Sequence, residues 1–107
     1  MLTIENFPKI NNSAIKNGWW VSICRCHQDY YSFKLIQKDA NNRVCDSFSV
    51  LLSRESIWMD EIKKNAYRFV VNKQKTDMAV TLDYIQDSVN MRRALGGIID
   101  HRHKWGF

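Results

Sequence analysis

Between Gly18 and Leu52 the chain falls into three alternating runs, 19–26, 30–38 and 43–52, separated by the polar breaks His27-Gln28-Asp29 and Asp39-Ala40-Asn41-Asn42. Strand side chains alternate with period two and both breaks are hairpin-sized, so the stretch predicts a three-stranded antiparallel meander. Closing the second turn on Ala40 and Asn41 sets Lys38 against Arg43, Phe33 against Phe48 and Tyr31 against Val50. Centring the first turn on Gln28 sets Ile23 against Phe33 and Val21 against Leu35. A slip of one residue in either pairing would set these apolar side chains against polar ones, so the register is well specified.

One face of the meander then carries Trp19, Val21, Ile23, Tyr31, Phe33, Leu35, Phe48, Val50 and Leu52, and must be covered by the rest of the chain. The other face carries Trp20, Ser22, Cys24, Cys26, Tyr30, Ser32, Lys34, Ile36, Lys38, Arg43, Cys45, Ser47 and Ser49. That face is richer in aromatic residues than an ordinary solvated one, and it is where a function is expected.

For the cover, Ser53 is a good N-cap, Glu55 falls in a first turn, and Trp58, Ile62, Ala66, Phe69 and Val70 recur at three- and four-residue spacing. Thr76 can cap a second helix, with Met78, Leu82, Ile85 and Val89 along one stripe and Gly96-Gly97 as its stop. A competing reading makes extra strands of residues 67–71 and 78–82 around the polar turn 72–77. The expected fold is therefore one α+β domain, residues 1–107: a three-stranded antiparallel β-meander of about residues 19–52, covered on one face by two C-terminal helices. Residues 1–17 read as an irregular N-terminal arm packed by Ile4, Phe7 and Ile10, holding either a short strand or a single helical turn that Ser13 could cap and Gly18 end. Residues 100–107 read as a basic, aromatic tail.

The 45% hydrophobic and 25% charged content is that of a soluble globular protein. No apolar run approaches the roughly 20 residues of a membrane span, and the N-terminus lacks a signal-peptide pattern, so a cytoplasmic protein is expected. Cys24 and Cys26 share a strand while Cys45 is held two strands from Cys24, which predicts three free thiols.

The same separation argues against a zinc site built from Cys24, Cys26, His27 and Cys45, although the ligand types suit zinc. His101 and His103 would share a face only in an extended segment, and they read better as part of the solvated tail. A Cys26-His27-Asp29 nucleophile would need neighbours on a strand to converge, and no GxSxG, P-loop or HExxH motif is present. The expectation is a non-enzyme without metal or cofactor.

A net charge of +5 and a pI near 9.3 suggest an acidic partner. Part of the charge order, acids before bases in 55–68 and 77–93, is what two exposed helices would choose, but that does not explain the surplus. Trp20 and Tyr30 are platforms on which bases could stack, Lys34, Lys38 and Arg43 could meet phosphates, and Arg102, Lys104 and Trp105 extend the basic, aromatic character into the tail. The function expected from this is recognition of nucleic acid or of a nucleoprotein complex. The alternative is a phage or mobile-element inhibitor of the anti-CRISPR or anti-restriction type that blocks a host nuclease complex by protein–protein contact, a class that small size and nine asparagines suit.

Overall fold

Asn17 and Gly18 have φ of 48° and 80°. Positive φ at both central residues is what a two-residue hairpin turn matching the right-handed twist of strands requires, and Asn-Gly accepts it at the least steric cost. The segment before this turn is therefore a strand, β1 (Ser13–Lys16), paired antiparallel with β2 (Trp19–Cys26). The computed structural model describes residues 10–28, 30–59, 62–80 and 89–106, and the side chains of all of these except Cys26, 55–59 and 62–65.

From β2 the chain continues through β3 (Tyr30–Lys38), β4 (Val44–Met59), β5 (Ile62–Val71) and β6 (Gln74–Val80). The six strands form one sheet in sequence order, every neighbouring pair antiparallel. The expected fold of three strands and two helices is thus corrected to a six-stranded meander carrying, among the described residues, one α-helix, α1 (Val89–Asp100). A 3-10 turn at Arg102–Trp105 follows it.

The helix expected after Ser53 is strand instead. Val50 to Val71, Leu52 to Phe69 and Arg54 to Tyr67 pair in one unbroken ladder, and Tyr67, Phe69 and Val71 are buried while Arg68 and Val70 are only partly so. This is period two in a run of β-branched and aromatic residues, and it overrides the coincidental three- and four-residue spacing of the same apolar positions. Asn72 and Lys73, with φ of 51° and 64°, then make a second two-residue turn into β6. The extra strands therefore span 62–71 and 74–80, not 67–71 and 78–82.

Thr76 caps no helix either: it lies in β6, where its hydroxyl accepts the Met78 N–H at 3.0 Å and donates to the Met78 carbonyl at 3.1 Å. Leu82 and Ile85 lie outside the described residues. The helix runs through Gly96-Gly97 instead of stopping there. A Cβ on Gly96 would stand 3.0 Å from Lys16 Cδ, and one on Gly97 would stand 2.9 Å from Met78 Cε, so both glycines serve close approach to the sheet.

Two of the expected registers shift. Across β3 and β4, Phe33 faces Val50, Leu35 faces Phe48 and Tyr31 faces Leu52, with Lys38 opposite Val44 rather than Arg43. The turn holds three residues, Asn42 taking φ of 62° while the Asp39 Oδ1 accepts the N–H groups of Asn41 and Arg43 at 2.9 and 3.0 Å. A displacement of two residues leaves every side chain on its expected face.

Across β2 and β3, Val21 does face Leu35, but a β-bulge follows, so that Ile23 opposes Lys34 and Cys24 opposes Phe33. The extra residue exchanges the two side chains: Cys24 is buried in the core and Ile23 moves to the open face. The Cys24 amide is met by Asn11 Oδ1 at 2.7 Å, just beyond the start of β1.

The core lies between one sheet face and α1. Tyr31, Phe33, Leu35, Val50, Leu52 and Phe69 from the sheet meet Met91, Leu95, Ile98 and Ile99, the last four at helical spacing. Ile10 belongs to this core, and so does Trp105. Of the expected arm, Ile10 packs in the core and Ser13–Lys16 takes the strand alternative, not the helical turn; Ile4 and Phe7 lie outside the described residues. No helix among the described residues is long and apolar enough to cross a membrane.

Candidate nucleic-acid interface

The strand pairings define four successive cross-strand rows across the middle of the face turned away from α1. In order along the strands they are Ala14-Trp20-Ile36-Ser47, Ile23-Lys34-Ser49, Arg25-Ser32-Leu51-Val70-Lys75 and Tyr30-Ser53-Arg68-Ala79. Their charged members, Lys34, Arg25, Lys75 and Arg68, are all cations. The first acid by register position on this face is Glu55, which pairs with Ala66 one row further out. Side chains in adjacent strands of a row stand roughly 5 Å apart, so serine hydroxyls lie within reach of the same ligand groups as the cations.

Trp20 is half-buried, and the Lys38 Nζ sits over its ring, 4.5 Å from the centroid. Such a cation–π contact holds both side chains and keeps the ammonium at the surface. Tyr30 stacks on His27 with centroids 4.4 Å apart and planes 19° from parallel, and the His27 Nε2 is 3.0 Å from Ser32 Oγ. Each aromatic platform thus has a partner among the described residues, which helps to fix its orientation. Lys34 is exposed in the second row, and Arg43 is exposed beside the loop that ends β3. Trp20, Tyr30, Lys34, Lys38 and Arg43 therefore belong to the open face or its end.

Arg102, Lys104 and Trp105 do not join them. The Arg102 guanidinium lies 5.0 Å over Trp19, a core-side ring, while its Nη1 donates to the Ile99 carbonyl at 2.9 Å and its Nε stands 3.8 Å from Asp46 Oδ2. Trp105 is 7% exposed, and its carbonyl accepts the Asn72 Nδ2 at 2.6 Å, so this ring packs the core instead of meeting solvent. Lys104 is exposed on the same side as these two, beside Asp77 and His101.

Arg25, Arg68 and Lys75 also lie on this face, and the sequence alone does not mark them. Uninterrupted alternation places Arg25 on the core side, and the bulge after Val21 reverses that. Arg68 and Lys75 come with strands that a helical spacing of apolar residues disguises; the signal for those strands is the alternation of 67–71 followed by Asn72. Arg68 is tied in place, its Nη1 donating to the Thr76 carbonyl at 3.1 Å.

Among the described residues no group of three His, Cys, Asp or Glu is placed to hold a metal ion. Cys24 is a buried free thiol and Cys45 an exposed one, its Sγ 3.5 Å from the Gln37 carbonyl. Cys24 thus belongs to the core and not to the open face where alternation puts it. The side chain of Cys26 lies outside the described residues.

The described residues form a six-stranded antiparallel meander with one face packed against a helix and the other cationic and hydroxyl-rich. Compared with protein-family models, with curated proteins and with solved structures, the chain matches none.

Proposed function

We propose that this is a non-catalytic nucleic-acid-binding protein that acts in the cytoplasm and meets its ligand with the open face of the sheet. The observation that carries the reading is the set of four cross-strand rows in which every charge is positive, interleaved with serines and flanked by Trp20 and Tyr30. Phosphates favour this composition because lysine and arginine neutralise them while hydroxyls donate hydrogen bonds without adding repulsion. Tyr30 and Trp20 each offer a ring surface to an unpaired base, which makes a single strand a better fit than a duplex. A cytoplasmic setting is consistent with free thiols at Cys24 and Cys45.

A fluorescence titration with short single-stranded and duplex oligonucleotides at low salt tests the proposal. Saturable binding that weakens steeply with salt is expected, and absence of binding by the wild type would remove the reading.

A second reading is carried by Leu51 and Val70, a half-buried apolar pair facing each other on the open face. In that reading the face anchors a protein, as an inhibitor of a host nuclease assembly would, through an apolar centre whose affinity tolerates salt. A pull-down from host lysate with and without nuclease treatment separates the two readings: capture that survives nuclease favours the protein partner.

A further inference from the structure

On the opposite side of the molecule a groove of about 500 Å³ runs between α1 and β1. Its cations among the described residues are Lys16, Arg92 and Arg93, its acid is Asp100, and Gly96 and Gly97 form part of its wall. The cations come from two elements far apart in the chain. The fold collects them because Gly96, lacking a Cβ, lets the Lys16 stem lie against the helix.

Arg92 is anchored, its Nη1 donating to the Ala14 carbonyl at 2.7 Å, whereas Arg93 is exposed and makes no ion pair with a described residue. Lys16 Nζ donates to Asp100 Oδ2 at 2.7 Å, with both side chains partly exposed. That hydrogen bond holds the Asp100 carboxyl below the usual range for an aspartate. The groove therefore already accommodates one anionic group, and that group is the protein's own.

We propose that this groove is a phosphate-binding cleft, in which Arg93 and the Lys16 ammonium take the anion, Arg92 adds positive charge, and Asp100 is the internal competitor that phosphate displaces from Lys16. Arginine presents parallel N–H donors that match two phosphate oxygens, and a neighbouring lysine adds a compact charge. The volume admits a phosphate together with its sugar and base, so the source is either a mononucleotide or the backbone of a nucleic acid. The cleft lies on the helix side, so it stands or falls independently of the open-face proposal.

The test uses the full chain, labelled with nitrogen-15. Gly96 and Gly97 are two of four glycines, and their amides report directly on the groove. The chain is titrated at constant ionic strength with pyrophosphate, a mononucleotide, a twelve-nucleotide single strand, and succinate as a carboxylate control. Both glycine amides are expected to shift saturably with the phosphate ligands, and the tighter of the mononucleotide and oligonucleotide arms identifies the source. Arg93→Gln should weaken binding about two- to fivefold, the range of one exposed charge contact. Asp100→Asn should tighten it by a similar factor, because it releases Lys16 and removes a negative charge; a residue that only supports the fold would not change affinity in that direction.

No saturable shift at Gly96 and Gly97, an equal response to succinate, or weaker binding by Asp100→Asn would each overturn the proposal. Oligonucleotide binding that moves open-face resonances and leaves both glycines still would overturn the cleft and support the open face. Glycine shifts together with an affinity indifferent to Lys34 and Lys38 would do the reverse.

Discussion

Phe33 and Lys34 are neighbours in β3, yet Phe33 is fully buried beneath α1 while Lys34 stands exposed on the open face. The same alternation produces both faces, and what distinguishes them is the cover. On the helix side Met91, Leu95 and Ile98 close over the sheet, and Trp19 meets Phe48 edge-on at 5.5 Å. On the open side, among the described residues, the half-buried Trp20 ring is met by the Lys38 ammonium. Stability should therefore reside on the first face and ligand contact on the second. Each face can be perturbed through residues one position apart.

The largest effect should come from Phe33→Ala, which removes a buried ring that also packs against Phe69 at 6.4 Å; a loss of about 3–5 kcal/mol is expected. Lys34→Ala should stay within about 0.5 kcal/mol, as surface changes usually do. The midpoint of denaturant unfolding measures both. Equal midpoint shifts would mean that the two faces do not differ in the way the burial implies.

Next comes the open face, read by binding and not by stability. Tyr30→Ala should weaken oligonucleotide binding by about 1–3 kcal/mol while leaving its salt slope nearly unchanged, because stacking releases no counterions. Replacing both Lys38 and Arg43 with alanine should do the opposite, flattening the slope of log affinity against log salt by roughly 0.7 to 0.9 for each phosphate that is no longer neutralised. If the two variants fail in the same way, stacking and charge are not separate contributions on this face.

The hairpin that adds β1 to the sheet comes third. Gly18 has φ of 80°, and a Cβ there would stand 3.1 Å from the Lys38 carbonyl oxygen. Gly18→Ala should therefore cost about 1–2 kcal/mol through left-handed strain, visible in thermal or denaturant unfolding, with the core face unaltered. An unchanged midpoint would show that the turn relaxes without penalty.

These three sites also mark what the sequence makes legible. The alternation from Trp19 to Leu52 is strong enough that the facing of Phe33 and Lys34 follows from it even though the β3–β4 pairing is two residues away from the expected one. Asn17-Gly18 is as strong a local signal, masked because Ser13 also resembles a helix cap. The strands from Ser53 to Val80 are obscured for a different reason. Trp58, Ile62, Ala66 and Phe69 satisfy a helical count, and only the long-range ladder to β4 decides against it.

The bulge after Val21 has no local signature in the chain. The His27 amide donates to the Tyr30 carbonyl at 2.8 Å, and this tight turn offsets the register by one residue, which the bulge restores before Val21 meets Leu35. Arg25 can be assigned to the open face only once that bulge is known. The Lys16, Arg92 and Arg93 groove is equally beyond the sequence, since it needs β1 and α1 side by side.

The smallest effect should be electrostatic, at the rim where α1 meets β1. Lys16 and Asp100 form a 2.7 Å pair between partly exposed side chains, so its contribution is modest and screened by salt. Its sign is nonetheless defined. The lysine hydrogen bond lowers the Asp100 pKa in the folded chain, so the stabilisation is present above the ordinary aspartate pKa and is lost as the pH falls through the lowered folded value. Unfolding midpoints of the wild type and Asp100→Asn should therefore differ slightly at neutral pH and low salt, and converge both in acid and in high salt. A difference that persists unchanged from neutral pH into acid would assign the effect of Asp100 to packing against the helix end and remove the ion pair from the account of how the covered face is held.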